Sequence, residues 1–250
     1  MYPYISVFNE ELPTYFICGA TGFIITFILI SNLLLGRLLF TEYMRTFLLS
    51  FVGLGVGARL FGIISRLLYN CKATGIVDIF EAVKNSGIVF FGGLIGYILT
   101  LWILCKVKNK NFRRASNFVA VGIPLFHAFG RIGCFLSGCC YGIKSNSFIA
   151  IPYRTDFGEE FVKRIPVQLM EAFFEFFMFM LIINVYKYSL KNGKLDERNY
   201  LKLYLAGYCL WRFFIEFFRG DDIRFVIGYI SFSQIVSICI VLKIILCKEC

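Results

Sequence analysis

The sequence predicts an all-α integral membrane protein whose helices cross the bilayer seven times. Of its 250 residues, 58% are hydrophobic and 17% are charged, whereas average soluble domains are about half apolar and a quarter charged. The apolar residues form blocks near the ~20 residues that a helix needs to cross a membrane. The predicted spans are residues 14–35, 46–69, 87–106, 115–141, 166–186, 200–218 and 226–247.

The distribution of charge predicts the orientation of these spans. Basic residues concentrate in alternate connections, with five each in residues 106–114 and 187–202, and such loops stay on the cytoplasmic side. The N-terminus is therefore predicted outside and the C-terminus in the cytoplasm. The net charge of +10 is explained by this topology, so no nucleic-acid partner is predicted. Acidic residues mark the opposite side: Glu10, Glu11, Asp78, Glu81, Asp156, Glu159, Glu160, Asp221 and Asp222.

The chain is predicted to form a single transmembrane domain, residues 1–250. Its longest connection, residues 142–165, is expected to lie outside and could form a small cap. The N-terminal segment has acidic residues and no basic region, so it does not resemble a cleaved signal peptide.

Eight charged residues lie inside the predicted spans, apart from Lys106 and Lys202 at the span ends. An arginine at mid-membrane costs about 2.5–3.5 kcal/mol on insertion scales, so such residues usually face a partner or a wet cavity. The arginines lie in the middle and outer half of the bilayer, and guanidinium groups bind phosphate well. We therefore expect a site for an anionic phospholipid headgroup. The eight residues are Arg59, Arg66, Arg131, Glu171, Glu175, Arg212, Glu216 and Lys243.

Several of these residues also have simpler interpretations. Arg212 and Glu216 are four residues apart on one helix and could neutralise each other. Arg66 could reach the outer interface, and Lys243 could extend to the inner one. His127, the only histidine, could do no more than bond a carbonyl.

Cysteines and glycines complete the pattern. The ten cysteines show no spacing that suits a zinc site, so no metal site and no cofactor are predicted. Gly53 and Gly57, and likewise Gly92 and Gly96, have the spacing of close helix contacts. Gly92 and Gly93 could instead let a lipid approach.

Five motifs occur in order along the chain. They are GVGARLFG (55–62), FFGGLIG (90–96), GRIGCFLSGCCYG (130–142), PVQLMEA (166–172) and WRFFIEFFRGD (211–221). Together, in a chain with seven predicted spans, they resemble the prolipoprotein diacylglyceryl transferase family.

The resemblance implies a lipid-to-protein transferase of the bacterial plasma (inner) membrane. Such enzymes move the diacylglyceryl group of phosphatidylglycerol onto the lipobox cysteine of a secreted precursor and release glycerol phosphate. Arg131 and Arg212 carry over as the essential arginines. The implied partners are phosphatidylglycerol, membrane lipids and the precursor; the sequence leaves the oligomeric state open. The substrate-binding residues are then Arg59, Gly92, Gly93, Cys134, Gln168, Glu171, Glu216 and Arg219.

Two positions depart from the family's pattern. Phe91 replaces the usual histidine, and Cys134 replaces the usual asparagine. Since Phe91 cannot act as a base, we predict that His127, four residues before Arg131, is a catalytic base. The departures leave open a paralogue with a different acceptor; a lipid or anion transporter and a non-catalytic lipid-binding protein are further alternatives. Cys139 and Cys140 could have only a packing role, or they could react with oxidants near the outer face.

Overall fold

The computed structural model describes residues 2–7, 10–34, 38–74, 78–153, 161–194, 198–221, 226–227 and 229–246. Several residues used to predict the orientation and the cap lie outside the described residues, namely Asp156, Glu159, Glu160, Asp222 and the segment 154–160. The helices are α1 (Thr14–Leu34), α2 (Leu38–Thr74), α3 (Ile79–Asn85), α4 (Phe90–Val107), α5 (Phe112–Ser137), α6 (Val167–Lys191), α7 (Tyr200–Ile215) and α8 (Phe232–Leu246).

Helices dominate the chain, and the prediction of an all-α integral membrane protein is confirmed at this level. Within the described residues, five helices (α1, α2, α4, α5 and α6) are long and apolar enough to cross a membrane. The last two predicted spans correspond to shorter helices, α7 with 16 residues and α8 with 15. Three antiparallel hairpins of two strands accompany the helices: β1 (Tyr4–Val7) with β2 (Glu10–Pro13), β3 (Ile151–Tyr153) with β4 (Val162–Arg164), and β5 (Val226–Ile227) with β6 (Ile230–Ser231).

The distribution of polar and apolar residues on helix α6 is the reverse of that on an amphipathic helix of a soluble protein. Its buried face carries Glu171 and Glu175, each only 1% exposed, while Phe173, Phe177 and Met180 are more than half exposed. In water this arrangement would expose apolar area and bury charge at great cost. In a bilayer it is favourable, because lipid solvates the phenylalanines and the protein interior pairs the carboxylates.

The chain divides into two compact units. Unit 1 comprises residues 1–33, 120–222 and 237–250, and unit 2 comprises residues 34–119 and 223–236.

In unit 2, α2 and α4 approach each other backbone to backbone. A Cβ placed on Gly57 would lie 2.3 Å from the Gly92 carbonyl oxygen, and one placed on Gly96 would lie 2.1 Å from that of Gly53. No side chain fits at such distances, so the two glycine pairs let the helices touch. The predicted helix contacts of Gly53, Gly57, Gly92 and Gly96 are confirmed.

The arginines of α2 bind groups at α3. Arg59 donates hydrogen bonds to the carbonyls of Val83 and Ser86, at 2.5 and 2.6 Å, which are at the C-terminal end of α3. Arg66 forms an ion pair of 3.1 Å with Glu81. Arg66 therefore has an acidic partner, in addition to any contact with the interface.

Unit 1 contains α1, α6, α7 and the part of α5 from Ala120 onward. Glycines again set close contacts: a Cβ on Gly22 would lie 2.5 Å from Cβ of Phe129, and one on Gly133 would lie 3.0 Å from Cβ of Cys18. Helix α5 is continuous through Pro124. Its buried face in unit 1 includes His127 and Arg131, which face polar residues of α6 and α7.

Candidate functional site

A carboxylate of α6 joins two arginines from different helices. Oε1 of Glu171 lies 3.0 Å from Nη2 of Arg131 on α5 and 3.0 Å from Nη1 of Arg212 on α7. Nη2 of Arg212 also pairs with Glu216, at 2.7 Å. All four side chains are at most 8% exposed. Two guanidinium groups thus meet at one oxygen atom inside the protein, balanced by two carboxylates.

Helical spacing explains why these side chains converge. Glu171 and Glu175 are one turn apart on α6, and Gln168 precedes Glu171 by three residues, so the three polar groups share one face. On α7 and the 3-10 turn that follows it, a buried stripe recurs every fourth residue: Tyr204, Tyr208, Arg212 and Glu216. The polar faces of α6 and α7 meet between the two helices.

His127 belongs to a second polar group, one turn before Arg131 on α5. Its Nδ1 atom is 2.8 Å from Oε1 of Glu175 and 3.5 Å from the hydroxyl of Tyr204. The ring also contacts Tyr208 edge to face, at 5.2 Å between centroids. The structure therefore pairs His127 with a carboxylate, which the sequence interpretation as a carbonyl contact did not include.

Two atoms of the arginine cluster have unused hydrogen-bonding capacity. Nε of Arg131 and Oε2 of Glu171 are buried, and neither has a hydrogen-bond partner among the described residues. Buried polar atoms are rarely left without a partner. These atoms therefore mark a place where a polar ligand could form hydrogen bonds.

The turn after α5 is built by the motif GCC. The Gly138 amide donates to the Phe135 carbonyl and the Cys139 amide to the Cys134 carbonyl, both at 3.1 Å. Gly138 is left-handed, with φ of 77°; together these features form a Schellman C-cap. Cys140 is also left-handed, with φ of 58°, which costs a residue with a side chain about 1–2 kcal/mol.

Gln168 holds this turn in place. Its side-chain amide donates to the Cys139 carbonyl at 2.6 Å, and its oxygen accepts from the Tyr153 hydroxyl at 2.9 Å. Burial raises the pKa of Tyr153 to about 12, so this hydroxyl stays protonated and donates. Both polar groups of Gln168 are thus bonded to the protein.

The segment after the cysteines is clamped by two other parts of unit 1. The Gly142 amide donates to the Ile165 carbonyl at 3.2 Å, and the Gly220 amide donates to the Tyr141 carbonyl at 3.0 Å. A Cβ on Gly142 would lie 2.3 Å from the Ile165 oxygen, so only glycine fits there. The clamp ties the cysteine turn to Arg219, which forms a bidentate pair with Asp221 at 2.8 and 2.5 Å.

Most of the predicted site residues fall in unit 1. Arg131, Arg212, Glu171 and Glu216 form the arginine cluster, and His127 adjoins it along α5. Cys134 lies in the last turn of α5, and Gln168 and Arg219 hold the turn that follows this helix. The remaining three predicted residues belong to unit 2. There Arg59 binds α3 carbonyls, Gly92 packs on α2, and a Cβ on Gly93 would lie 3.3 Å from that of Ala58.

Four further residues belong with the site, and sequence reasoning did not assign them to it. Glu175 and Tyr204 bind His127, and Tyr208 contacts the same ring. Asp221 accepts a hydrogen bond from Arg219. The four-residue spacing of the α7 stripe could have indicated the tyrosines. Nothing in the sequence could have indicated which carboxylate reaches His127, because that contact joins different helices.

The fold and the site together define a class of protein. Long apolar helices carry a buried set of arginines and carboxylates in a chain that lipid surrounds, which is typical of membrane enzymes and transporters acting on charged groups.

Similarity to known proteins identifies the family. The family model for prolipoprotein diacylglyceryl transferase matches residues 4–248, and the chain belongs to this family. Members transfer the diacylglyceryl group from phosphatidylglycerol to the cysteine of a prolipoprotein. The predicted family and class of reaction are confirmed.

Individual proteins that resemble the chain belong to the same family. The chain is 35% identical over 160 residues to phosphatidylglycerol–prolipoprotein diacylglyceryl transferase 2 of Clostridium perfringens, a match that covers 63% of this chain and 60% of that protein. For the corresponding transferase of Clostridium tetani, identity is 29% over 77% of this chain and 75% of the relative. For the corresponding transferase of Finegoldia magna, identity is 33% over 75% of this chain and 69% of the relative.

Proposed function

We propose that the arginine cluster of unit 1 is where this chain carries out the reaction of its family. In that reaction the diacylglyceryl group of phosphatidylglycerol moves to the cysteine thiol of a secreted prolipoprotein. The observation that supports this location is the meeting of Arg131 and Arg212 at one oxygen of Glu171, 3.0 Å from each. Two guanidinium groups at that separation can both bind a single phosphate.

The chemistry requires stabilisation of a leaving phosphate. The thiolate sulfur attacks the glycerol carbon that bears the phosphate ester, and a C–S bond forms. The C–O bond to phosphorus breaks, and glycerol phosphate leaves with the electron pair. Arg131 and Arg212 hold the phosphate oxygens on which this charge develops. Glu171 keeps both guanidinium groups in position before the lipid arrives.

Unused hydrogen-bonding capacity supports the same assignment. Nε of Arg131 faces no partner among the described residues, and a guanidinium has five donors. A phosphate oxygen would satisfy this donor without breaking the ion pair with Glu171. Glu216 keeps Arg212 oriented through its 2.7 Å contact.

His127 is the proposed acceptor of the thiol proton. Its ring is held by Glu175 at 2.8 Å, as general bases are commonly oriented by a carboxylate. Undiminished transfer by a correctly inserted His127→Ala variant would remove His127 from the mechanism. Glu175→Gln, which keeps the side-chain shape, should reduce transfer less than His127→Ala does.

The other predicted residues have supporting roles in the proposal. Gln168 and Arg219 position the turn beside the cluster through their contacts with Cys139 and Asp221. Cys134 lies in the last turn of α5, three residues after Arg131. The predicted contribution of Arg59, Gly92 and Gly93 to lipid binding remains a prediction.

The orientation completes the proposal. We infer seven spans, with α7 and α8 as the two short ones, the N-terminus outside and the C-terminus in the cytoplasm of a bacterium, in its plasma membrane. The basic segments 106–114 and 187–202 support this. Thiol labelling from outside the cell should modify Cys139, which is exposed, before membrane permeabilisation; labelling only afterwards would contradict the orientation.

Reconstitution tests the function. The purified chain in vesicles containing phosphatidylglycerol should add a diacylglyceryl mass to the cysteine of a lipobox peptide, whereas a peptide with serine at that position should stay unmodified. Vesicles of phosphatidylethanolamine serve as the lipid control. Product only with a different thiol acceptor would favour the paralogue suggested by Phe91 and Cys134. No product with any anionic phospholipid would contradict the proposal.

A further inference from the structure

Three thiols meet at the outer end of α5. The Sγ atoms of Cys134, Cys139 and Cys140 all lie within 4.8 Å of one another. Cys134 is buried, Cys140 is half-buried and Cys139 is exposed. The eight cysteines in the described part of the chain are all free of disulfides. Of the three thiols, the exposed Cys139 is the one that lies at the surface of the chain.

The backbone brings the three sulfur atoms together at a cost. The Schellman turn places Cys139 back over the last turn of α5, where its Sγ lies 3.7 Å from the Cys134 carbonyl oxygen. The left-handed conformation of Cys140, uncommon for a residue with a side chain, completes the cluster. Such strain persists only where the surroundings impose it, and it is concentrated at functional sites. Here Gln168 and the clamp at Gly142 impose it.

We propose that Cys134, Cys139 and Cys140 bind one soft divalent metal ion, of which Zn²⁺ is the natural representative. Zinc–sulfur bonds of about 2.3 Å in a tetrahedral site place sulfurs ~3.8 Å apart, so the cluster needs to contract by about 1 Å at most. The sequence prediction of no metal site rested on the absence of a cysteine spacing that suits zinc. Three cysteines in the spacing Cys-x4-Cys-Cys have their sulfur atoms within reach of one ion only because the Schellman turn folds Cys139 and Cys140 back toward Cys134.

The charges around the cluster favour an anionic metal centre. Three thiolates exceed the charge of a divalent ion by one. The guanidinium groups of Arg131 and Arg219 both interact electrostatically with Cys140, and Arg131 also interacts with Cys134. These two cations lower the cost of the excess negative charge, while each keeps its carboxylate partner, Glu171 or Asp221.

A metal held by three thiolates keeps one tetrahedral position open, as in catalytic zinc sites. We assign this position to the thiol of the acceptor, an assignment that rests on the proposed function. The thiol would bind as thiolate after His127, its proposed proton acceptor, takes the proton. Cys134 follows Arg131 by three residues, or ~4.5 Å along α5, so the bound sulfur would lie near the proposed phosphate site.

Metal content tests the site without any assay of transfer. The full chain, purified in detergent, is loaded with Zn²⁺, passed over a weak chelating resin and measured for zinc per chain. We expect one ion for the unchanged chain and for the controls Cys71→Ser and Cys239→Ser, whose exposed thiols are distant in sequence. Cys134→Ser, Cys139→Ser and Cys140→Ser should each lower retention at least tenfold.

Three results would each contradict the proposed metal site. Absence of retained zinc in the unchanged chain, full retention in the three variants, or a disulfide within the cluster in freshly purified protein would each overturn the site. Because Cys134 is buried, thermal melting is measured in parallel, and the exposed Cys139→Ser variant decides the matter if Cys134→Ser does not fold.

A Co²⁺-loaded sample tests the open position. A lipobox peptide should change the thiolate-to-cobalt absorption, whereas the same peptide with serine should not. Arg212→Lys should keep this change while losing transfer, so failure of the proposed function leaves this readout intact. A spectrum that the cysteine peptide does not change would overturn the assignment of the fourth position, whether or not transfer occurs.

Discussion

Units 1 and 2 use opposite means of holding helices together in a membrane. In unit 2, Gly53 and Gly57 of α2 meet Gly92 and Gly96 of α4 so closely that no Cβ fits between the backbones. In unit 1, α5, α6 and α7 are joined by charged side chains that meet at Glu171. The first contact consists of backbone packing, and the second of paired charges.

The two kinds of helix contact tolerate different changes. A glycine contact fails when any side chain is added, but it contains no group that reacts. A charged contact leaves expensive unpaired charges when one partner is removed, yet it can exchange a partner for a ligand. The reaction is therefore expected in unit 1, and unit 2 is expected to respond to changes mainly through stability.

The largest effect is expected from removing the carboxylate shared by the two arginines. Glu171→Ala leaves Arg131 and Arg212 facing each other in a buried site and should cost about 3–5 kcal/mol of stability. Thermal melting in detergent measures the loss. Glu171→Gln retains the side-chain volume and should lose less stability. Equal melting temperatures for Glu171→Ala and the unchanged chain would show that the charged contact does not hold unit 1 together.

Replacing an arginine should affect activity more than folding. Arg131→Lys keeps the charge that pairs with Glu171 but loses the planar set of donors. We expect transfer to fall by about 10²–10³-fold, the loss seen when one donor to a developing negative charge is removed. The diacylglyceryl peptide formed per minute measures it, and a melting temperature within a few degrees of the unchanged chain shows that folding is intact.

A methyl group at the glycine contact should lower stability moderately. Gly92→Ala places a Cβ 2.4 Å from the Gly57 carbonyl oxygen, and such overpacking costs about 1–3 kcal/mol. Gly55→Ala, also in unit 2, is the matched control, since nothing lies within 4 Å of its Cβ position. If both variants melt alike, the close packing of α2 on α4 is wrong.

The smallest effect is expected at the turn that follows α5, residues 138–140. Tyr153→Phe removes the hydroxyl that Gln168 accepts from at 2.9 Å and should cost about 1 kcal/mol. Gln168 still binds the Cys139 carbonyl, so transfer should fall by less than threefold. A larger loss of activity without a loss of stability would mean that Tyr153 contacts a substrate.

The sequence predicted the features that depend on one helix at a time. Apolar runs located α1, α2, α4, α5 and α6, and the glycine spacing identified both partners of the α2–α4 contact. Two predicted spans proved to be the shorter helices α7 and α8, because apolar composition alone does not show where a helix ends. The hairpins were not predicted, since their strands are only two to four residues long.

Features that join different elements could not be read from spacing. Arg131 has no acidic residue three or four positions away, and its partner Glu171 comes from another helix. Glu175 reaches His127 in the same way. The cysteine cluster depends on a left-handed residue at Cys140, a conformation that sequence patterns assign reliably only to glycine.

The shared oxygen of Glu171 limits how tightly any phosphate can be held between Arg131 and Arg212. Nε of Arg131 is open to a phosphate oxygen, but a hydrogen bond from either of the two Nη atoms that Glu171 binds would compete with that tethered carboxylate. In the proposed reaction this competition would favour the departure of glycerol phosphate once the ester bond has broken.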